Sequence, residues 1–187
     1  MTSQAEQPLR GRRAALIVGP LFEDSEAIYP LHRLREAGAE GVIAGTRAGE
    51  SVKGKRGHEL LTEAAAANLV ADTLDLLVLP GGYGPDKLRT DPGVLRLVRE
   101  MHEQKKPIGF ICHAGWIPVS AGILAGRRVT SYVSIADDLK NAGAIWEDAE
   151  VVIDGNLVSS RRPDDLPEFM RALIEVSVAT SLAGAPR

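Results

Sequence analysis

Cys112 is the one cysteine of this 187-residue chain. It follows an apolar run, 107–111, and precedes a stretch, 113–121, whose apolar spacing predicts a helix with Pro118 in its early turns. A cysteine between a strand and a helix start has two reasons to be reactive. The free N–H groups and dipole of a new helix favour thiolate over thiol. A sharp turn also holds the sulfur clear of the sheet, as in a nucleophile elbow. In such settings a thiol pKa of ~8.5 falls to between ~3.5 and ~7.5. The competing reading is a buried cysteine that packs as a small hydrophobe.

Two other strand ends carry unusual residues, GPLFED (19–24) and PGGYGPD (80–86), beside CHAGW (112–116). Glu23 is either a solvated or helix-capping carboxylate next to Asp24 and Ser25, or a partner of Cys112. In the second case two anions repel, so a buried Glu23 keeps its proton and donates a hydrogen bond to the thiolate. His113 adjoins the cysteine, and neighbouring side chains diverge in regular structure; only a sharp turn brings them together. Otherwise His113 is an interface or partly buried residue. Gly81 and Gly82 are permissive loop backbone, or their N–H groups form an oxyanion site with that of His113. His32, His58 and His102 read as surface or packing residues, and four histidines with one cysteine show no metal-ligand spacing.

These strand ends need a sheet to hold them. Strands are expected at 14–18, 41–44, 74–79 and 107–111, with helices at 28–35, 64–67, 92–101 and 113–121 between them. Asp91 and Pro92 form a cap and first-turn pair for the helix whose apolar face is Val94, Leu97, Val98 and Met101. A Gly-marked hairpin is expected around Lys53, Gly54 and Gly57, and another at Asp154-Gly155-Asn156. Short strands near Val129 and Ile145, a helix over 135–141 and a last helix over 163–178 complete the pattern. Alternating strands and helices predict one α/β domain with a mostly parallel sheet, whose sites gather at the C-terminal strand ends. The expected division is a flexible arm (1–12), a single domain (13–180) and a frayed tail (181–187).

Hydrophobic residues make up 44% and charged residues 25%, with formal net charge -3. That composition is globular and argues against nucleic acid or anionic membrane as partner, since both call for a basic face. No apolar run is long enough to span a bilayer, and the polar N-terminus lacks a signal-peptide core. One cysteine allows no internal disulfide, which fits a reducing, cytoplasmic setting.

The ordered segments FED…IYPLHRL (22–34), LVLPGGYGPDKLR (77–89), ICH (111–113), SAGILAGRRVTSY (120–132), DDLKNAGAIWEDAEVVIDGNLVSSR (137–161) and PDDL (163–166) carry a resemblance. Together they resemble the PfpI-like family of the ThiJ/PfpI superfamily, of the general stress protein and intracellular protease type, related to class-I glutamine amidotransferases. The resemblance implies a flavodoxin-like three-layer sandwich with helices on both faces, assembled as a homodimer or larger oligomer. It implies a nucleophile at Cys112, a protonated carboxyl at Glu23 and a base at His113. A carboxylate from a neighbouring subunit would orient that base, at the position of Asp86. The chain departs from the family pattern with Asp86 in place of glutamate, Phe110 and Ala114 flanking the elbow, and Gly115-Trp116 in place of a proline and a polar residue. The implied function is a stress-response cysteine hydrolase, acting on peptides or, as a glyoxalase or deglycase, on glyoxals and glycated groups. The alternative is a redox-responsive protein whose Cys112 is oxidised to sulfenic or sulfinic acid, as sensor or chaperone; a third is a binding or holdase module. No cofactor is expected, because the first strand ends in GPLFED rather than a Ser/Thr-rich loop for FMN.

Overall fold

The computed structural model of the chain describes residues 7–184, with side chains described for 7–180. In chain order the elements are β1 (Arg13–Ile17), α1 (Asp24–Glu36), β2 (Glu40–Gly45), β3 (Ser51–Lys53), β4 (Glu59–Leu61) and β5 (Ala64–Ala65). Then come β6 (Leu76–Leu79), α2 (Gly84–Leu88), α3 (Pro92–Glu103), β7 (Ile108–Ile111) and α4 (Trp116–Ala121). β8 (Arg128–Val129), α5 (Ala136–Asn141), β9 (Ile145–Trp146), β10 (Val151–Asp154), β11 (Leu157–Ser160) and α6 (Leu166–Gly184) follow.

Seven strands form the main sheet in the order β10-β11-β7-β6-β1-β2-β5. All neighbours pair in parallel except the β10–β11 hairpin. Alternation along the central strands sends side chains into two cores. Ala15, Ile17, Leu77, Leu79, Ile108 and Phe110 face Leu97, Val98, Met101 and Ile117 of α3 and α4. Leu16, Leu76, Val78 and Ile111 face Leu31 and Leu34 of α1 and Phe169, Met170 and Leu173 of α6. Helices thus cover both faces, the three-layer flavodoxin-like arrangement. The sheet extends to both sides of β1, so the C-terminal ends of β1 and β6 flank the crevice where such sheets place their sites.

Capping follows the sequence closely at α3: Asp91 accepts a hydrogen bond from the Val94 N–H at 2.9 Å, with Pro92 at the first position. Both expected hairpins form, as β3–β4 and β10–β11. Three expectations need correction. Residues 64–67 do not form an α-helix; Ala64 and Ala65 extend the sheet beside Ala44 and Gly45, and a 3-10 turn (Ala66–Asn68) follows. The helix foreseen over 113–121 begins as a separate 3-10 turn (Cys112–Gly115) before α4. The arm is shorter than expected, because Leu9 is fully buried and its N–H donates to the Ala37 carbonyl at 2.8 Å. Residues 1–6 of the arm and 185–187 of the tail lie outside the described residues, while the backbone of 181–184 continues α6.

Candidate active site

Cys112 stands where β7 meets the 3-10 turn, with φ at 61°. That left-handed conformation is disfavoured for a residue with a Cβ and costs about 1–2 kcal/mol, a strain typical of nucleophile turns. The kink resolves the problem of adjacent side chains. Cys112 Sγ and His113 Nδ1 lie 3.2 Å apart, within hydrogen-bond reach. The N–H groups of Gly82 and His113 face the sulfur and favour its charged form.

The carboxyl that meets the sulfur is Glu26, not Glu23. Glu26 sits in the first turn of α1, is fully buried, accepts from the Gly81 N–H at 2.8 Å and stands close enough to Cys112 to shift its pKa. Glu23 lines the same cavity, but its Oε2 lies 3.3 Å from the Lys55 ammonium, so it is paired there rather than with the sulfur. The Gly81 N–H is likewise committed to Glu26, which leaves Gly82 and His113 as the donors facing the sulfur. Gly81 must be glycine on steric grounds: a Cβ there would meet Cys112 Cβ and Glu26 Oε2, each at 2.7 Å. Gly82 has φ at +80°, and a Cβ there would clash with the Glu23 backbone nitrogen.

The electrostatics reverse the expected lowering of the thiol pKa. Burial pushes Cys112 up to about 12, and the neighbouring Glu26 adds to the rise, while the N–H groups of Gly82 and His113 pull the other way. Cys112 opens a four-residue 3-10 turn that leads straight into α4, but burial outweighs what the N–H groups of this helix start contribute. Glu26 itself is pushed up to about 8 by burial, so at neutral pH it holds its proton. With Glu26 neutral its repulsion is absent, and burial remains the main obstacle to the thiolate. His113 has its pKa lowered by burial and by the Lys55 charge, which keeps the imidazole neutral and able to accept a proton. The site is therefore a thiol beside a neutral base.

His113 is held on several sides. Tyr132 stacks on its ring with centroids 5.1 Å apart, and Trp116 meets it edge-on at 5.3 Å. Its second nitrogen, Nε2, lies 3.1 Å from Ser134 Oγ. Trp116 backs the imidazole from outside the cavity lining and donates its indole N–H to Asp138 at 2.8 Å. Phe110 points into the core beneath α3 and α4, where its size is accommodated away from the elbow. Asp86 stands exposed on α2, outside the cavity, with Lys87 4.0 Å away. The cavity measures about 380 Å³ and is walled by Glu23, Glu26, Lys55, Tyr83, Cys112, His113 and Tyr132, with Gly82 and Pro163 completing it.

Glu26, Lys55, Tyr132 and Ser134 were not foreseen as site residues. Glu26 did leave a trace in the sequence, since it lies on the same helical stripe as the buried Ala27, Pro30, Leu31 and Leu34. A carboxylate in register with a core face is a candidate for a raised pKa. Lys55 reaches the mouth because Asp24 accepts the Arg56 and His58 N–H groups at 2.7 and 2.8 Å, stapling the β3–β4 hairpin to α1. Burial alone would raise the Asp24 pKa, but these backbone donors outweigh it and hold the carboxyl below its ordinary value.

The model of the DJ-1/PfpI family matches residues 12–176. Deglycase PfpI of Pyrococcus furiosus is 44% identical over 155 residues, covering 83% of this chain and 93% of that protein. General stress protein 18 of Bacillus subtilis is 39% identical over 170 residues, covering 88% and 99% of the two chains. Among solved structures, Drosophila melanogaster DJ-1beta superposes with a TM-score of 0.82 at 32% identity, covering 94% of this chain and 99% of its own.

Proposed function

Because the chain belongs to the DJ-1/PfpI family, we propose that it is a cysteine-dependent enzyme acting on small dicarbonyls such as methylglyoxal and on their early adducts with amines. Relatives of the chain are named deglycases. The observation that carries the reading is the Cys112 sulfur set between a neutral base at 3.2 Å and two backbone N–H donors, on the wall of a cavity open to solvent. As sulfur attacks the carbonyl carbon, its proton passes to His113 Nδ1. The C=O electron pair moves onto oxygen, where the Gly82 and His113 N–H groups can follow the negative charge. Neutral Glu26 adds no repulsion to that charge and pins the Gly81 backbone. At about 380 Å³ the cavity suits a small carbonyl compound or the end of one modified side chain better than an extended peptide.

The proposal extends to setting. No helix among the described residues is long and apolar enough to cross a membrane. A reduced thiol is needed for the chemistry, which suits the cytoplasm. The kinship with a general stress protein fits a protective role against reactive carbonyls. Assembly as a homo-oligomer would set the exposed Asp86 before a neighbouring copy, the only way it can serve a site.

Turnover of methylglyoxal, followed as lactate formed, tests the reading. Cys112→Ser is expected to lose at least about a thousandfold in kcat/KM. A variant that turns over at the wild-type rate would sink the proposal.

A further inference from the structure

His113 can act as a base toward Cys112 only in one tautomer. Nδ1 faces the sulfur, so it must be unprotonated, and the ring proton must then sit on Nε2. Nε2 has a partner in the same chain: Ser134 Oγ at 3.1 Å. The segment that presents Ser134 is tied to the nucleophile turn. The Tyr132 N–H donates to the Cys112 carbonyl at 3.3 Å, and the Ile135 N–H donates to the Tyr132 carbonyl at 3.1 Å. Trp146 steadies the same segment by donating to Ser131 Oγ at 3.1 Å.

One departure at the elbow eases this approach. A Cβ on Gly115 would stand 3.2 Å from Ile135 Cδ1 and 3.3 Å from Leu139 Cδ1. Glycine at that position spares Ile135 and Leu139 a shift of a few tenths of an ångström as the turn before α5 packs on the elbow, and Ser134 sits within that turn. The charged groups around the pair come from other elements: Lys55 with Glu23 at the mouth, Glu26 behind the sulfur, and Asp138 and Arg89 beyond Trp116. None of them occupies Nε2.

We propose that Ser134 is the positioning residue of His113, its hydroxyl accepting the Nε2–H hydrogen bond and so leaving Nδ1 free to take the Cys112 proton. When the S–H proton moves to Nδ1, the imidazolium carries protons on both nitrogens and Ser134 Oγ faces the second. When that proton goes on to the oxygen of the carbonyl adduct, the neutral Nε2–H tautomer is restored. Ser134 thus supplies within one chain the orientation that the family resemblance assigned to Asp86 of a neighbouring subunit. The inference rests on the proposed function for its use, but not for its test.

The test reads Cys112 directly, by its rate of alkylation with iodoacetamide across pH 5 to 10, together with ¹⁵N chemical shifts of His113. Ser134→Ala is expected to slow alkylation at neutral pH about five- to tenfold, the worth of one neutral hydrogen bond. The His113 ¹⁵N shifts should move from the Nε2–H form toward a mixture of tautomers. Ser134→Thr keeps the hydroxyl and should keep both wild-type signatures. A Ser134→Ala protein with the wild-type alkylation profile and tautomer overturns the inference. So does loss in Asp86→Asn with Ser134→Ala unaffected, which would give the role to a partner's carboxylate. No carbonyl substrate enters these measurements, so failure of the deglycase reading leaves their outcome unchanged and readable on its own.

Discussion

Gly81 shows how little room the site leaves at the level of single atoms. Its N–H holds Glu26, and the space where its side chain would be is already filled by Cys112 Cβ and Glu26 Oε2. Its φ lies outside the left-handed region, so the demand for glycine is one of contact. Gly81→Ala meets Cys112 Cβ and the Ile111 carbonyl as well as the Glu26 carboxyl, and the first two are fixed to the backbone. The variant is expected to lose about 1–3 kcal/mol in urea denaturation, the usual cost of overpacking, and to fall in Cys112 alkylation rate as the sulfur leaves its N–H donors. A Gly81→Ala protein of wild-type stability and thiol reactivity would show that the approach of Cys112 to Glu26 is looser than the structure has it. The same crowding explains why the thiol is not simply acidified by its position. Burial and a neighbouring carboxyl raise its pKa where an open helix start would have lowered it.

Elements differ in how far their own residues determine them. In α3, Val94, Leu97, Val98 and Met101 recur at helical spacing and are all fully buried, and Asp91 caps the helix. Asp91→Ala removes that cap and should cost about 1 kcal/mol in urea denaturation, without change in Cys112 alkylation; a loss below a few tenths would mean another group caps α3. The central strands were equally legible, since short apolar runs bounded by Gly and Pro suit a sheet buried on both faces. Residues 64–67 were not: a run of alanines favours helix locally, but the free edge of β2 recruits Ala64 and Ala65 as a strand. The candidate site divides the same way. Cys112, His113 and the two glycines lie at strand ends and announce themselves by position. Choosing Glu26 over Glu23 needed the rotation of α1, which its apolar stripe records. Ser134 had no such signal, because its neighbour His113 is brought to it only by tertiary approach across Gly115.

At the scale of the whole molecule, the buried carboxyl makes stability depend on pH. Glu26 titrates near 4.5 in an unfolded chain and near about 8 when folded, because burial disfavours its charge. Between those values the folded state binds the extra proton, so its stability is fullest below pH 4.5 and falls as pH rises toward 8. The slope from this group alone reaches about 1.4 kcal/mol per pH unit. Cys112, raised well above the ordinary thiol value, adds a second loss at alkaline pH. His102 and His113 act in the opposite sense, since both have folded pKa values below 6.5 and their contribution is lost as pH falls through that range. Comparing wild type with Glu26→Gln separates the carboxyl from the histidines. Glutamine keeps an oxygen to accept from Gly81 and an amide N–H to face the sulfur, but it cannot ionise. Urea denaturation from pH 4.5 to 8.5 should show the wild-type protein losing stability relative to Glu26→Gln as pH rises, the gap widening steadily to pH 8 and then levelling. Parallel curves would mean that Glu26 is already charged at neutral pH in the folded protein. Cys112 would then face an anion, and attack on a carbonyl would need that charge removed first.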